Sequence, residues 1–301
     1  MMTNTKILVS EFDYLEPRTV EEAVEGLVAY GDGAHVLAGG TDLLVHMKTG
    51  RADPLALVNI CKIPALSGLS ENGGASLGAT VRIRQVELSE SLYRRYTALV
   101  EAAAQVGSVQ IRHMATVGGN LCNASPAADL PPALLALNAQ VLIVGPSGER
   151  LIPLESFFLT RRDTALQPGE LLARIDLPAP TTRFGSAFLK VGRVACDVAK
   201  VNAAVSLERD GDRIRSCRIA LGSVAPVPIR STRTETLLEG ERYSAELAWQ
   251  AGEEAAQEVK ISRRSRVGRS TPEYRRAAVR SLVRDGVQIA WERAAQWRSE
   301  R

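Results

Sequence analysis

Two glycine pairs have the residue type and spacing to do chemistry: Gly39-Gly40 in AGGTDL (38–43) and Gly118-Gly119 in TVGGN (116–120). A phosphate held by backbone amides needs the chain to come close, with successive N–H groups turned toward it. Glycine permits that approach, because it lacks a Cβ and tolerates positive φ. Gly39-Gly40 follows a short apolar run and precedes a segment with helical spacing, so a helix N-terminus would add unpaired amides and partial positive charge. Thr41 could cap that helix or give its hydroxyl to a phosphate oxygen. Gly118-Gly119 repeats the pattern, with Thr116 and Asn120 as side-chain donors. Two such loops about 80 residues apart suit a pyrophosphate gripped from both sides. Neither has the glycine spacing of a Rossmann fingerprint or a Walker loop, which argues against an NAD-binding or ATPase domain.

The elements that must position these loops read as three successive blocks. Thr19-Val-Glu-Glu22 has capping-box spacing and opens an amphipathic helix to about Tyr30. His35 to Ala38 reads as a strand ending on the first glycine pair, 42–48 as a helix and 56–60 as a buried strand, together one α/β unit. From about 61 to 178 a second block runs through a strand (74–80), a short helix (81–91) and a longer amphipathic helix (93–107). About 25 aperiodic residues from Ser108 follow, read as an ordered binding loop around the second glycine pair. A helix through LLALN, a hairpin turned at Pro146-Ser147-Gly148 and a strand over 170–178 complete the block. PAPTT (178–182) marks a boundary. Beyond it the pattern alternates like an antiparallel meander, turned at Asp210-Gly211-Asp212. The last helix is capped by Ser270 or Thr271, has Pro272 in its first turn and runs to about Trp297.

Composition narrows the function classes. A net charge of +3 is too small to argue for a nucleic-acid partner. The arginine-rich stretch from Arg263 to Arg284 reads as a solvated or subunit-facing surface. Cys61, Cys122, Cys196 and Cys217 are scattered without metal-ligand spacing, so neither a metal site nor disulfides are expected. No window has the roughly 18 consecutive apolar residues of a membrane span. The N-terminus lacks the pattern of a secretory signal, which makes the cytoplasm the expected compartment.

VLAGGTDLLVHMK (36–48), LGAT (77–80), ATVGGNLCNASPAADLPPAL (115–134) and SAFLKVGRVACDVAKVNAAV (186–205), taken together, resemble the FAD-binding medium subunit of the xanthine dehydrogenase and carbon monoxide dehydrogenase family. TPEYRRAAVRSLV (271–283) extends the resemblance to the last helix. The resemblance implies an α+β fold: a two-subdomain FAD-binding domain of the vanillyl-alcohol-oxidase type over 1–178, divided near residue 60. A smaller C-terminal α+β domain over 179–301, an antiparallel sheet with helices, would follow.

It also implies residue roles. Val36, Leu37, Ala38, Gly39, Gly40, Thr41, Asp42 and Leu43 would line the adenosine-diphosphate part of FAD, with the amides of Gly39 to Leu43 on the pyrophosphate. Thr116, Val117, Gly118, Gly119 and Asn120 would meet its other side. Val106 would touch the cofactor from the end of the preceding helix. Asp129 would accept hydrogen bonds from a cofactor hydroxyl or the ring edge, and it also stands where it could cap the helix from Leu130. Leu172 and Lys190 would lie beside the isoalloxazine, although SAFLK is one residue longer than the spacing of some relatives and leaves Lys190 readable as an ordinary strand lysine. Cys122 sits where one branch of the family begins a cluster-bearing insertion; here no insertion follows.

By the same resemblance the substrate is oxidised at a molybdenum–pterin centre on a large subunit, and electrons pass through [2Fe–2S] clusters on a small subunit to FAD on this chain. From there they leave to NAD, a quinone, oxygen or a carrier protein. The chain's task is then to bind and tune the flavin in a heterotrimer, and no side chain is assigned as catalytic and none as a metal ligand. Two other readings are a self-sufficient flavin oxidoreductase of the wider superfamily and a non-enzymatic assembly subunit. The first would need its own substrate pocket and catalytic side chain; the intact glycines and Asp129 speak against the second.

Overall fold

The first glycine pair sits at the end of a small parallel sheet in the computed structural model, which describes residues 8, 10–181, 183–261 and 270–296. Its elements are β1 (Asp13–Leu15), α1 (Val20–Tyr30), β2 (Ala34–Leu37), α2 (Leu43–Lys48) and β3 (Ala56–Asn59), with strand order β1-β3-β2. Thr19 caps α1 by accepting from the Glu22 amide, while the Glu22 carboxylate reaches back to the Arg18 amide rather than to that of Thr19. Ala23, Val24 and Leu27 of α1 pack on Val58 and Ile60, so the apolar stripe read from the sequence is the face that holds the helix on its sheet.

The second block contains β4 (Leu69–Ser70), β5 (Gly74–Gly78), α3 (Ile83–Glu87), α4 (Glu90–Arg95), α5 (Thr97–Ala104), α6 (Val109–Met114), α7 (Val117–Cys122) and α8 (Leu130–Ala136). It continues through β6 (Gln140–Gly145), β7 (Gly148–Pro153), β8 (Phe158–Thr160), β9 (Asp163–Thr164) and β10 (Leu171–Pro178). Five of its strands form an antiparallel sheet in the order β4-β5-β10-β6-β7.

Two expectations fail here. The single helix expected over 93–107 is broken at Tyr96, whose φ of −137° and ψ of 53° interrupt it between α4 and α5. The cause is tertiary: the Tyr96 ring is buried, and its hydroxyl donates to the Pro178 carbonyl at 2.8 Å. The stretch expected to be an irregular loop is two short helices, α6 and α7, capped by Ser108 and Thr116 through bonds to the Ile111 and Gly119 amides. The second glycine pair is therefore helical.

The third block is a meander of β11 (Phe184–Val191), β12 (Val201–Asp210), β13 (Arg213–Gly222) and β14 (Ile229–Arg230), followed by α9 (Thr232–Leu238), α10 (Ala245–Gln257) and α11 (Pro272–Gln296). Gly211, with φ +59°, turns β12 into β13. Thr271 caps α11 by accepting from the Tyr274 amide. One face of this sheet carries Val201, Ala203, Val205 and Leu207 against α10 and α11. The other contributes Phe188, Ala204 and Ala220 to the core built around α5 and α8. Strand alternation thus gives the sheet two buried faces and joins the C-terminal block to the rest. Arg263, Arg264, Arg266 and Arg269, like Trp297, lie outside the described residues. No helix among the described residues is long and apolar enough to cross a membrane.

Candidate FAD site

A cavity of about 300 Å³ opens between the first parallel sheet and the α6–α7 region, and both glycine pairs line it. Its volume is at the lower end of ligand pockets, so a dinucleotide would extend from it along the cleft. Val36, Ala38, Gly39, Gly40, Thr41, Asp42 and Leu43 form one wall. Val106, Thr116, Gly118, Gly119 and Asn120 form the facing wall, and Leu172 contributes from β10.

The two glycine pairs do different work. Gly40 has φ +69°, a left-handed conformation natural to glycine. The amides of Gly39, Gly40, Thr41 and Asp42 have no acceptor among the described residues, and Asp42 makes no side-chain cap to α2. This is a row of half-exposed donors suited to an anion. Because α2 has only six residues, these individual amides, more than a long helix dipole, supply the positive potential.

Around the second pair the amides are already used. Val117 N–H donates to the Val81 carbonyl at 2.9 Å, Gly118 N–H to Ala79 at 3.0 Å and Asn120 N–H to Thr116 at 3.0 Å. Gly119 N–H donates to Thr116 Oγ1 at 3.0 Å. The expected two-sided amide grip is therefore not built. Gly118 instead allows close packing: a Cβ there would lie 2.7 Å from Ala79 Cβ. Asn120 offers a different clue, since its buried Oδ1 has no hydrogen-bond partner among the described residues. A buried acceptor left unpaired is costly, and on a cavity wall it points to a ligand O–H or N–H.

Three supports hold the facing wall. Ala173 forms a bulge in β10, where the pairing with β6 slips between Leu172 and Arg174, and its carbonyl takes the Ala79 amide at 2.9 Å. Ala79 in turn receives Gly118. The Arg112 guanidinium grips Glu87 at 2.6 and 3.1 Å and donates to the Val106 and Gly107 carbonyls at 3.1 Å each, fixing Val106 beside α6. Burial alone would raise the Glu87 pKa, but the Arg112 and Arg84 guanidiniums hold it below the usual carboxylate range. Glu170, another lining residue, is clamped by Arg150 at 2.9 and 2.6 Å and takes the Gln167 amide at 2.7 Å, which holds its carboxyl low as well.

Four of the expected contacts fall outside the lining: Leu37, Val117, Asp129 and Lys190. Val117 is turned into the core. Asp129 precedes α8 without capping it. Its carboxylate accepts from Lys190 Nζ at 2.6 Å on one oxygen and from Asn202 Nδ2 at 2.9 Å on the other, while Lys190 also donates to the Gln105 carbonyl at 2.9 Å. Burial raises the Asp129 pKa against the pull of Lys190 and Asn202. This cluster ties β11 and β12 to the ends of α5 and α8, one residue from Val106. Among the lining residues that sequence reasoning missed are His46, Asn123, Ile111, Ala115, Leu166 and Glu170. Ile111 and Ala115 lie between Val106 and Thr116, and His46 and Asn123 stand three residues beyond Leu43 and Asn120; Leu166 and Glu170 are brought in by the fold.

The family model described as the FAD binding domain in molybdopterin dehydrogenase matches residues 10–180, more than half of the chain, and the CO dehydrogenase flavoprotein C-terminal domain matches 186–290. The chain belongs to this family of FAD-binding medium subunits. It is 32% identical over 285 residues to the carbon monoxide dehydrogenase medium chain of Hydrogenophaga pseudoflava, covering 94% of this chain and 98% of the relative. It is 35% identical over 231 residues to the caffeine dehydrogenase subunit beta of a Pseudomonas species, covering 76% and 78% respectively. The solved Hydrogenophaga pseudoflava carbon monoxide dehydrogenase superimposes with a TM-score of 0.91 at 31% identity, covering 95% of this chain and 99% of that one. This FAD-binding domain and its C-terminal companion are thus those of a flavoprotein subunit of molybdenum-dependent oxidoreductases, with mixed helices and sheets as expected.

Proposed function

We propose that the chain holds FAD along the cavity and passes electrons from [2Fe–2S] clusters of a small partner subunit to an external acceptor. The acceptor would be NAD, a quinone, oxygen or a carrier protein, and a large molybdenum–pterin subunit would complete a heterotrimer. The observation that carries this is the row of unsatisfied amides from Gly39 to Asp42 on one wall, with the unpaired Asn120 Oδ1 on the other. Bound FAD supplies the redox chemistry, accepting and releasing electrons one or two at a time.

The protein's own residues bind and shield. The Gly39–Asp42 amides and the Thr41 hydroxyl hold the pyrophosphate, and Val36, Ala38 and Leu43 flank the adenosine. Asn120 accepts a hydrogen bond from the nucleotide, and Val106 and Leu172 offer apolar surface to the ring. Gly118 serves by letting α7 pack closely on Ala79 rather than by donating. Asp129 and Lys190 act from behind Val106, holding the C-terminal domain over residues 179–301 against the FAD-binding domain over 1–178.

Co-purification of a tagged chain from its native host tests the reading. Molybdenum and iron should accompany the chain, and flavin absorbance should bleach on adding the complex's reducing substrate. A metal-free flavoprotein that oxidises a small substrate unaided would refute it.

A further inference from the structure

Beside the cavity an exposed arginine, Arg162, is held by two of the cavity's lining residues. β8 and β9 are joined by a two-residue turn, Arg161-Arg162, since Thr160 pairs with Asp163. Arg162 has φ +61°, a conformation that glycine or asparagine adopts far more cheaply. Its amide is tied to the Ala124 carbonyl at 3.0 Å. Its guanidinium Nη1 donates to Asn123 Oδ1 at 3.3 Å and lies 3.4 Å from His46 Nε2. A guanidinium only donates, so His46 Nε2 is the acceptor in this contact. Both His46 and Asn123 line the cavity, and among the described residues the guanidinium's contacts are to these two, neither a carboxylate. His46 lies on α2, one turn after the row of free amides, so this cation is held next to that anion-receptive wall of the cleft.

We propose that Arg162 faces the phosphates of the bound dinucleotide and selects for the diphosphate-bearing flavin. The proposal rests on the FAD reading above. A strained turn that keeps an arginine, steadied by two lining residues and with no carboxylate paired to it among the described residues, is an arrangement that a ligand phosphate would complete.

The test uses the full chain stripped of flavin. FAD, ADP and riboflavin are titrated at low and high ionic strength against wild type, Arg162→Gln, Arg162→Lys and Arg162→Gly. The glycine variant fits the positive φ and guards against misfolding. The expected result is that Arg162→Gln and Arg162→Gly weaken FAD and ADP by roughly tenfold to a hundredfold, and flatten the salt dependence of binding. Lysine should restore part of the loss, and riboflavin binding should not change. Unchanged FAD and ADP affinity in both Arg162→Gln and Arg162→Gly, with wild type binding both ligands, overturns the role of Arg162 alone. Wild type that takes up neither FAD nor ADP overturns the FAD reading itself.

Discussion

Gly39→Ala is the substitution that the structure makes most costly for flavin binding. An added Cβ would lie 2.8 Å from Ala115 Cα and 2.9 Å from the Met114 carbonyl carbon, with the Met114 carbonyl oxygen closer still. Ordinary contact begins near 3.4 Å, and these neighbours are backbone that cannot rotate away. The loop and the α6–α7 junction must therefore part by about half an ångström or more, which overpacking data put at about 1–3 kcal/mol of stability. The junction is the opposite wall of the cavity, so the separation also moves the Gly39–Asp42 amides relative to Thr116 and Asn120. Losing one charge-assisted bond to phosphate is worth about 1.5–3 kcal/mol, or roughly tenfold to a hundredfold in affinity. The assay is flavin content on purification, followed by FAD titration of the stripped protein alongside its melting temperature. Gly119→Ala is the matched control: its Cβ would meet only the Thr116 hydroxyl, at 2.9 Å, and should cost no more than an N-cap, about 1 kcal/mol. If Gly39→Ala retained FAD with wild-type affinity, the placement of the pyrophosphate on that loop would be wrong.

Asn120→Ala should lower FAD affinity severalfold to about tenfold; because Asn120 Oδ1 has no partner among the described residues, the melting temperature of the flavin-free chain should hardly move. Lys190→Met strands the Asp129 carboxylate in a buried site and should cost about 3–5 kcal/mol by denaturant melts, with much of that recovered when Asp129→Leu is added. Arg150 hydrogen bonds hold the Glu170 carboxyl below its ordinary value, so its contribution to stability is complete above about pH 4.5 and is lost as pH falls through the lowered pKa. Melting temperature should fall over that acid window in wild type, and Glu170→Gln should lack that component.

The sequence made the first glycine wall legible because its signals are local. An N-cap at Thr19, a buried strand and a positive-φ glycine each announce themselves within a few residues. The opposite wall was misread because α6 and α7 have six residues each and show no sustained periodicity. Their local marks are the caps Ser108 and Thr116. Their placement comes from distant partners, Val81 and Ala79, that no short window contains. The break at Tyr96 has the same origin in a bond to Pro178, 82 residues away. The resemblance assigns Asp129 and Lys190 to the cofactor, and the fold adds what no short window contains: the two pair with each other across the domain junction, each buried charge balancing the other. Arg162 carried no sequence signal, since only the folded turn shows its positive φ and its contacts with His46 and Asn123.

The central claim is that the Gly39–Asp42 wall binds the diphosphate of FAD, and equilibrium titration of the flavin-free chain with FAD, with ADP as competitor, tests it most directly. The account predicts saturation at one FAD per chain, displaced by ADP. No uptake of FAD, or uptake that ADP leaves untouched, would contradict it.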